Sequence, residues 1–241
     1  MGRRRSVSGY RPNRSGGGCV TVIIWLGILV NLGLIVYTLS DGDTPLASLL
    51  RLPSDDAGVA LRAFESGDFD LAIDRAQSAL DTDDADTAAA MTLTRALIYR
   101  SYTDFRYEDD LSAALDAATD ALRANPEDPN ALAAQAFALQ ANGRAIEAVD
   151  VAERALERDE THTLARTALA LGDARAGSFD IALRESETAL ANAGEAPEVF
   201  EARRAVAIST ADLGRYDEAG TIMQALIDDY RQVIPLYYAR A

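Results

Sequence analysis

Thirty-eight carboxylates, one histidine and one cysteine are the groups in this 241-residue chain that could hold a metal or move a proton. The densest acidic run, Asp81-Thr82-Asp83-Asp84-Ala85-Asp86, has the look of a calcium loop. It lacks the central glycine that turns such a loop and the closing glutamate that clamps the ion, so it reads as a solvated loop. His162 has no second histidine and no nearby cysteine with which to build a zinc set or a nucleophile–base pair. Cys19 stands alone, which excludes a disulfide within the chain. Neither a glycine-rich phosphate cradle nor a nucleophile elbow occurs. The other Asp and Glu residues are spaced as on exposed helix faces rather than as a facing acid pair. The sequence therefore names no catalytic residue, metal ligand or cofactor, and reads as a non-enzyme.

The cationic chemistry is all arginine: 23 basic residues and no lysine. Five arginines and no acid lie in residues 1–18, while the remaining 18 face all 38 carboxylates in residues 40–241, a balance of −20. A short basic tail thus precedes an acidic body. The body repels phosphate backbones, which excludes nucleic acid as its partner.

The basic leader, with Arg3, Arg4, Arg5, Arg11 and Arg14 among glycines and serines, cannot bury a core and reads as a disordered tail. A twin-arginine export signal is disfavoured, because Arg11, Arg14 and the glycines separate its arginines from the apolar run at 19–39. Residues 19–39 carry no charge and include 13 Leu, Ile and Val residues. As a helix they would span about 31 Å, the thickness of a bilayer's hydrocarbon core, with roughly 4 to 8 kcal/mol favouring insertion. No small-residue cleavage site comes after the run, so the expectation is an uncleaved transmembrane anchor. Asn31 reads as one tolerated polar residue, with a bond to another membrane helix as the alternative. The arginine imbalance places the amino terminus in the cytoplasm and the body outside. The body contains no glycosylation sequon, which favours a prokaryotic envelope. Residues 40–52 form a linker and a short helix, with Thr44 and Pro45 at its start. Its leucines either cap the body or lie on the membrane surface.

The body repeats one phrase. Gly177-Ser178-Phe179-Asp180-Ile181-Ala182 is matched by Gly67-Asp68-Phe69-Asp70-Leu71-Ala72, by Gly214-Arg215-Tyr216-Asp217-Glu218-Ala219 and, without the aromatic, by Gly143-Arg144-Ala145-Ile146-Glu147-Ala148. These resemble the turn and second helix of the tetratricopeptide repeat, a helical hairpin of about 34 residues. The resemblance implies an all-α, right-handed solenoid of about five hairpins, with units at 53–86, 87–128, 129–162, 163–196 and 197–233. Small residues recur at Ala72, Ala114, Ala148, Ala182 and Ala219, and at Ala60, Thr94, Ala136, Ala170 and Ala207. Paired helices approach closely only where side chains are small. Larger Leu80, Leu122, Leu156, Leu190 and Ile227 fill the gaps beside them. Where the family usually carries an early aromatic, this chain has Asp56, Ala90, Leu132, Arg166 and Arg203, and Asp173 and Thr210 stand at places expected to be apolar. Residues 234–241 open a further helix, either as a rudimentary cap or as the start of more chain.

The resemblance also implies a mode of action, protein binding, with a protein or peptide ligand on the concave face lined by first helices. Carrying that face onto this chain gives Met91, Arg95 and Tyr99, then Ala133, Phe137 and Ala141, then Thr167, Leu171 and Arg175, and finally Arg204 and Ile208. Arg95, Arg175 and Arg204 beside Phe137, Leu171 and Ile208 suit an extended or helical segment with acidic and apolar residues. The alternative is that these arginines only neutralise acids of the solenoid itself. The second unit is eight residues longer than its 34-residue neighbours, and Tyr99, Tyr102, Phe105 and Tyr107 crowd the extra length. That patch is either a second binding edge or an internally packed helix extension. The expected function is a membrane-anchored scaffold or assembly factor outside the cytoplasm. The alternative is the recognition arm of a larger membrane enzyme, and self-association is compatible with either.

Overall fold

The computed structural model describes residues 55–103, 107, 109–194 and 196–230. The chain divides into two units, residues 1–54 and 55–241. The leader, the expected anchor at 19–39, the linker helix, Phe105 and the 234–241 helix all lie outside the described residues. None of the described helices is long and apolar enough to cross a membrane.

Ten helices are described, and they pair as five hairpins. The first hairpin is α1 (Asp56–Ser66) with α2 (Phe69–Thr82), and the second is α3 (Thr87–Ser101) with α4 (Asp110–Ala124). The third is α5 (Pro129–Ala141) with α6 (Ala145–Arg158), and the fourth α7 (Thr163–Arg175) with α8 (Phe179–Asn192). The fifth is α9 (Ala196–Asp212) with α10 (Tyr216–Asp229). Each helix packs on the next in the chain, and the first helices of successive hairpins pack on one another, α1 on α3, α3 on α5, α5 on α7 and α7 on α9. That is an all-α solenoid.

The hairpin turns show why the repeated phrase begins with glycine. Gly67, Gly143, Gly177 and Gly214 have φ of 80, 78, 83 and 76°, the left-handed region that side chains with a Cβ avoid. At each turn two backbone N–H groups return to the last carbonyls of the first helix. Gly67 donates to Phe64 and Asp68 to Ala63, and Gly177 and Ser178 donate likewise to Ala174 and Asp173. Between hairpins the work passes to side-chain caps. Asp86 accepts from the Ala89 N–H at 2.9 Å, Asp128 from Ala131 at 3.0 Å, and His162 Nδ1 from Ala165 at 3.4 Å. The acidic run at 81–86 is such a capping turn. His162 holds the same place two hairpins later. Its Nδ1 accepts, so Nε2 carries the hydrogen and faces Asn130 Oδ1 at 3.1 Å.

Both series of small residues are buried. Ala72, Ala114, Ala148 and Ala182 have no exposure and Ala219 has 7%, while Ala60, Thr94, Ala136 and Ala170 have none and Ala207 has 2%. Gly172 carries the requirement furthest. A Cβ there would lie 2.6 Å from Val149 Cγ2 and 3.3 Å from the Ala145 carbonyl, so α6 and α7 meet with no room for a methyl.

The missing aromatics have a polar replacement. Buried Asp56 on α1 accepts from Ser78 Oγ at 3.1 Å and meets Arg75 at 3.5 Å, both on α2. Arg166 on α7 donates to Glu185 on α8 at 2.6 Å, and Arg203 on α9 to Asp229 on α10 at 2.6 Å. In three hairpins a charged clip therefore joins first helix to second where ring packing would be expected. Thr210 is buried as well, and the half-buried Asp173 carboxyl is pushed up by desolvation and by Glu185 and Glu153.

Two glycines give opposite predictions. Gly172→Ala should lower stability, because about 1–3 kcal/mol of overpacking exceeds the roughly 1 kcal/mol of helix propensity gained. Gly220→Ala, where a Cβ meets nothing within 4 Å on α10, should raise stability by up to about 1 kcal/mol. Denaturant melts of both variants check the pair, and a stabilised Gly172→Ala would contradict the close approach. His162 gives a pH prediction. Burial lowers its pKa below the ordinary 6.5, against the raising pull of Asp159, Glu198 and Asp128, so the folded form is neutral. Its capping contribution is complete above about 6.5 and is lost as pH falls through the lowered value. The melting temperature of wild type relative to His162→Asn should therefore decline on acidification from about pH 7.5 to 5. A pH-independent difference would show that the ring does not cap.

Candidate functional site

The first helices α1, α3, α5, α7 and α9 form one continuous layer, and the expected groove residues lie on it. Their exposures divide them. Arg95 is 3% exposed, Tyr99 2%, Phe137 1% and Leu171 3%, whereas Arg204 and Ile208 are half-buried and Arg175 is exposed. Thr167 and Ala133 are buried, and Met91 and Ala141 half-buried.

Arg95 and Tyr99 are buried because α9 reaches back to α3. Arg95 Nε donates to Glu201 Oε1 at 2.8 Å across 106 residues of sequence, with the two side chains 4% and 1% exposed. The Tyr99 ring meets Phe200 edge-on at 5.7 Å, and Phe200 meets Tyr230 at 5.4 Å. On its other side Tyr99 contacts Phe64 at 5.6 Å and Phe69 at 6.0 Å, and the Arg95 guanidinium lies 4.6 Å over the Phe64 ring. Hairpins 1, 2 and 5 are thus joined through side chains, although 3 and 4 stand between them in sequence. Arg95 belongs with the alternative in which an arginine neutralises an acid of the solenoid. Arg175 does not, since no ion pair or hydrogen bond engages it among the described residues.

The closure is incompletely bonded. Arg95 Nη2, Glu201 Oε2, the Tyr99 hydroxyl and Arg204 Nε are all buried without a hydrogen bond of good geometry, although the Tyr99 hydroxyl lies near enough to the Glu201 carboxylate to favour its charged form. Each such group costs on the order of 1–3 kcal/mol. Burial pushes the Glu201 carboxyl up, with Arg95 and Arg204 pulling the other way, and burial pushes the Tyr99 phenol well above its ordinary value.

Sequence reasoning missed Phe200 and Glu201. Phe200 was within reach, because it lies one turn before Arg204 on the same four-residue spacing. Glu201 gave no signal, since an acid on a helix of an acidic chain looks like any surface acid.

The aromatic patch of the second hairpin is partly internal. Tyr102 is half-buried and edge-on to Tyr99 at 6.4 Å, which fits the internally packed alternative. Tyr107 lies 4.7 Å from the Arg100 guanidinium, and Arg100 also bonds Asp110 at 2.7 Å and Asp70 at 2.7 Å. The hydrogen bond to Asp110 is the main reason the Arg100 pKa is raised. A small open cleft of about 250 Å³ lies between Phe69, Asp70, Arg100, Thr103 and Tyr107. No group of three or more His, Cys, Asp or Glu side chains able to hold a metal stands among the described residues.

No protein-family model and no curated protein matches the chain. Solved structures do. TTC0263, a thermophilic TPR protein in Thermus thermophilus, superposes with a TM-score of 0.57 at 18% identity, over 77% of this chain and 97% of that one. The fold is that of a tetratricopeptide-repeat solenoid. YrrB, described as a TPR protein with an unusual peptide-binding site, matches more loosely, with a TM-score of 0.41 at 19% identity over 75% of this chain and 88% of its own. MamA from Desulfovibrio magneticus RS-1 gives 0.43 at 14% identity over 75% and 98%.

The buried pair in this solenoid generates a double-mutant prediction. Glu201→Leu alone strands a buried guanidinium and should cost about 3–5 kcal/mol, whereas Arg95→Met/Glu201→Leu together should cost less than either single change. Denaturant unfolding of the four proteins measures the coupling. Losses that simply add would mean the two side chains do not act as a pair.

Proposed function

We propose that the protein is an interaction module, a scaffold or assembly factor that holds a segment of another protein on its inner helix layer. The observation that carries this reading is Arg175, exposed and unpaired on the first helix of the fourth hairpin, in a body that is otherwise strongly acidic. Arg204, half-buried with its Nε unbonded, stands on the next inner helix. A carboxylate arriving there meets a guanidinium that offers two parallel N–H donors, a stronger contact than an exposed lysine pair. The neighbouring apolar Ile208 suits the partner segment's apolar residues. The tetratricopeptide fold supports the same reading.

The proposal extends to place. Residues 19–39 hold the chain in a membrane as a single span, the arginine-rich leader stays in the cytoplasm, and the repeats work outside it. The length and apolarity of the run and the five leader arginines support this.

Pull-down from solubilised membranes with Arg175→Glu should recover the partner in about tenfold lower yield than wild type, with the helical circular dichroism unchanged. Equal recovery by the folded variant would remove Arg175 from the interface. Protease added to intact cells, permeabilised in any outer layer, should digest the chain after Ser40 and spare the leader. A protected body would reverse the topology.

A further inference from the structure

Phe200 and Glu201 do in this chain what a ligand of the groove would do. Phe200 places its ring edge-on against Tyr99, and Glu201 places a carboxylate oxygen 2.8 Å from Arg95 Nε. Both come from α9, whose helix already packs on α7 and α8 as part of the regular stack. The reach to α3 is an addition to that stacking, made by side chains across the layer.

The fit is inferior to what the site can accept. Arg95 is 3% exposed and its Nη2 has no partner, although Nε and Nη2 together form the fork that a carboxylate bonds twice. The Tyr99 hydroxyl, on a residue 2% exposed, lies close enough to the Glu201 carboxylate to favour its charge but makes no hydrogen bond of good geometry. Glu201 satisfies one donor and leaves its own second oxygen unbonded. Arg204 Nε, also buried and unbonded, adds positive charge beside it. Three donors, Arg95 Nη2, the Tyr99 hydroxyl and Arg204 Nε, thus surround one contact for a better-placed carboxylate to recruit.

We propose that the fifth hairpin is an internal competitor of the partner: Phe200 and Glu201 occupy the Tyr99–Arg95 site that a helical segment bearing an aromatic residue followed by a carboxylate takes when it binds. The proposal rests on the interaction reading above and names the partner's chemistry and its regulation. Binding then requires the curl between hairpins 2 and 5 to open. The solenoid can open in this way without unfolding, since each hairpin keeps its neighbours. Affinity is lowered by the fraction of molecules held closed.

The probe is a fluorescein-labelled synthetic peptide of residues 196–212, titrated into the full chain in detergent. Wild type, with the site filled, should bind it weakly. Phe200→Ala/Glu201→Gln should bind at least tenfold tighter, and adding Arg95→Met should abolish the gain. Equal affinity of wild type and the vacated variant, or a gain that survives Arg95→Met, overturns the proposal. Should the double variant lose its helical signal, Glu201→Gln alone makes the same test, with a severalfold gain expected and no gain overturning it. The interaction reading fails separately. A vacated site that binds the peptide no better, while wild type still recovers its partner through Arg175, removes the competitor and leaves the scaffold standing. An Arg95-dependent gain with no protein recovered from membranes upholds the occupancy of the site by Phe200 and Glu201 but removes the scaffold, and with it the partner they would compete with.

Discussion

Close approach of helix backbones at alanine is the constraint on which the rest of this structure depends. With Ala60, Ala72, Ala114, Ala136, Ala148, Ala170 and Ala182 fully buried, successive helices meet with little between them. An interior built this way has few large side chains to bury, so each hairpin gains little by itself and depends on its neighbours. It also explains why a glycine can be required inside α7, where the approach leaves no space even for a methyl group.

Thin packing brings the inner faces of separated hairpins near one another. Here the large side chains that are scarce in the helix layers collect at one place. Phe64, Phe69, Tyr99, Phe200 and Tyr230 form a continuous series of ring contacts linking hairpins 1, 2 and 5. The Arg95–Glu201 pair sits beside the rings, where water is excluded and a charge must find its counter-charge. The surface pairs Arg144–Glu147 and Arg215–Glu218, spaced three apart and half-exposed, fix nothing comparable.

The hairpins were legible in the sequence because their requirements are local. A left-handed turn needs glycine, so Gly67, Gly143, Gly177 and Gly214 mark four turns, and close packing needs small residues at a fixed distance beyond them. The charged clips were visible only as departures from the expected aromatics at Asp56, Arg166 and Arg203, since their partners lie 19 to 26 residues away on the other helix. The closure was not legible. It depends on the summed curvature of several hairpins, and no local pattern brings residue 95 to residue 201. For the same reason the four-residue spacing placed Arg95 and Tyr99 on the inner face but could not say that this face is occupied.

An acidic solenoid with one buried arginine, Arg95, and several half-buried ones poses an electrostatic problem that its own helices largely solve. A guanidinium cannot be neutralised by losing its proton, so wherever an inner arginine is shielded from water it must have an anion. Glu201 supplies one for Arg95, Glu185 for Arg166 and Asp110 for Arg100. Of these contacts, Arg100–Asp110 satisfies both carboxylate oxygens, at 2.7 and 3.0 Å, and ties neighbouring helices of one hairpin. Arg95–Glu201 satisfies one oxygen and ties hairpins that are not neighbours. The fully bonded pair holds together helices whose arrangement cannot change without unfolding the hairpin. The half-bonded pair joins hairpins that the stack does not place side by side, and its unused Arg95 Nη2 is the donor an outside carboxylate has to gain.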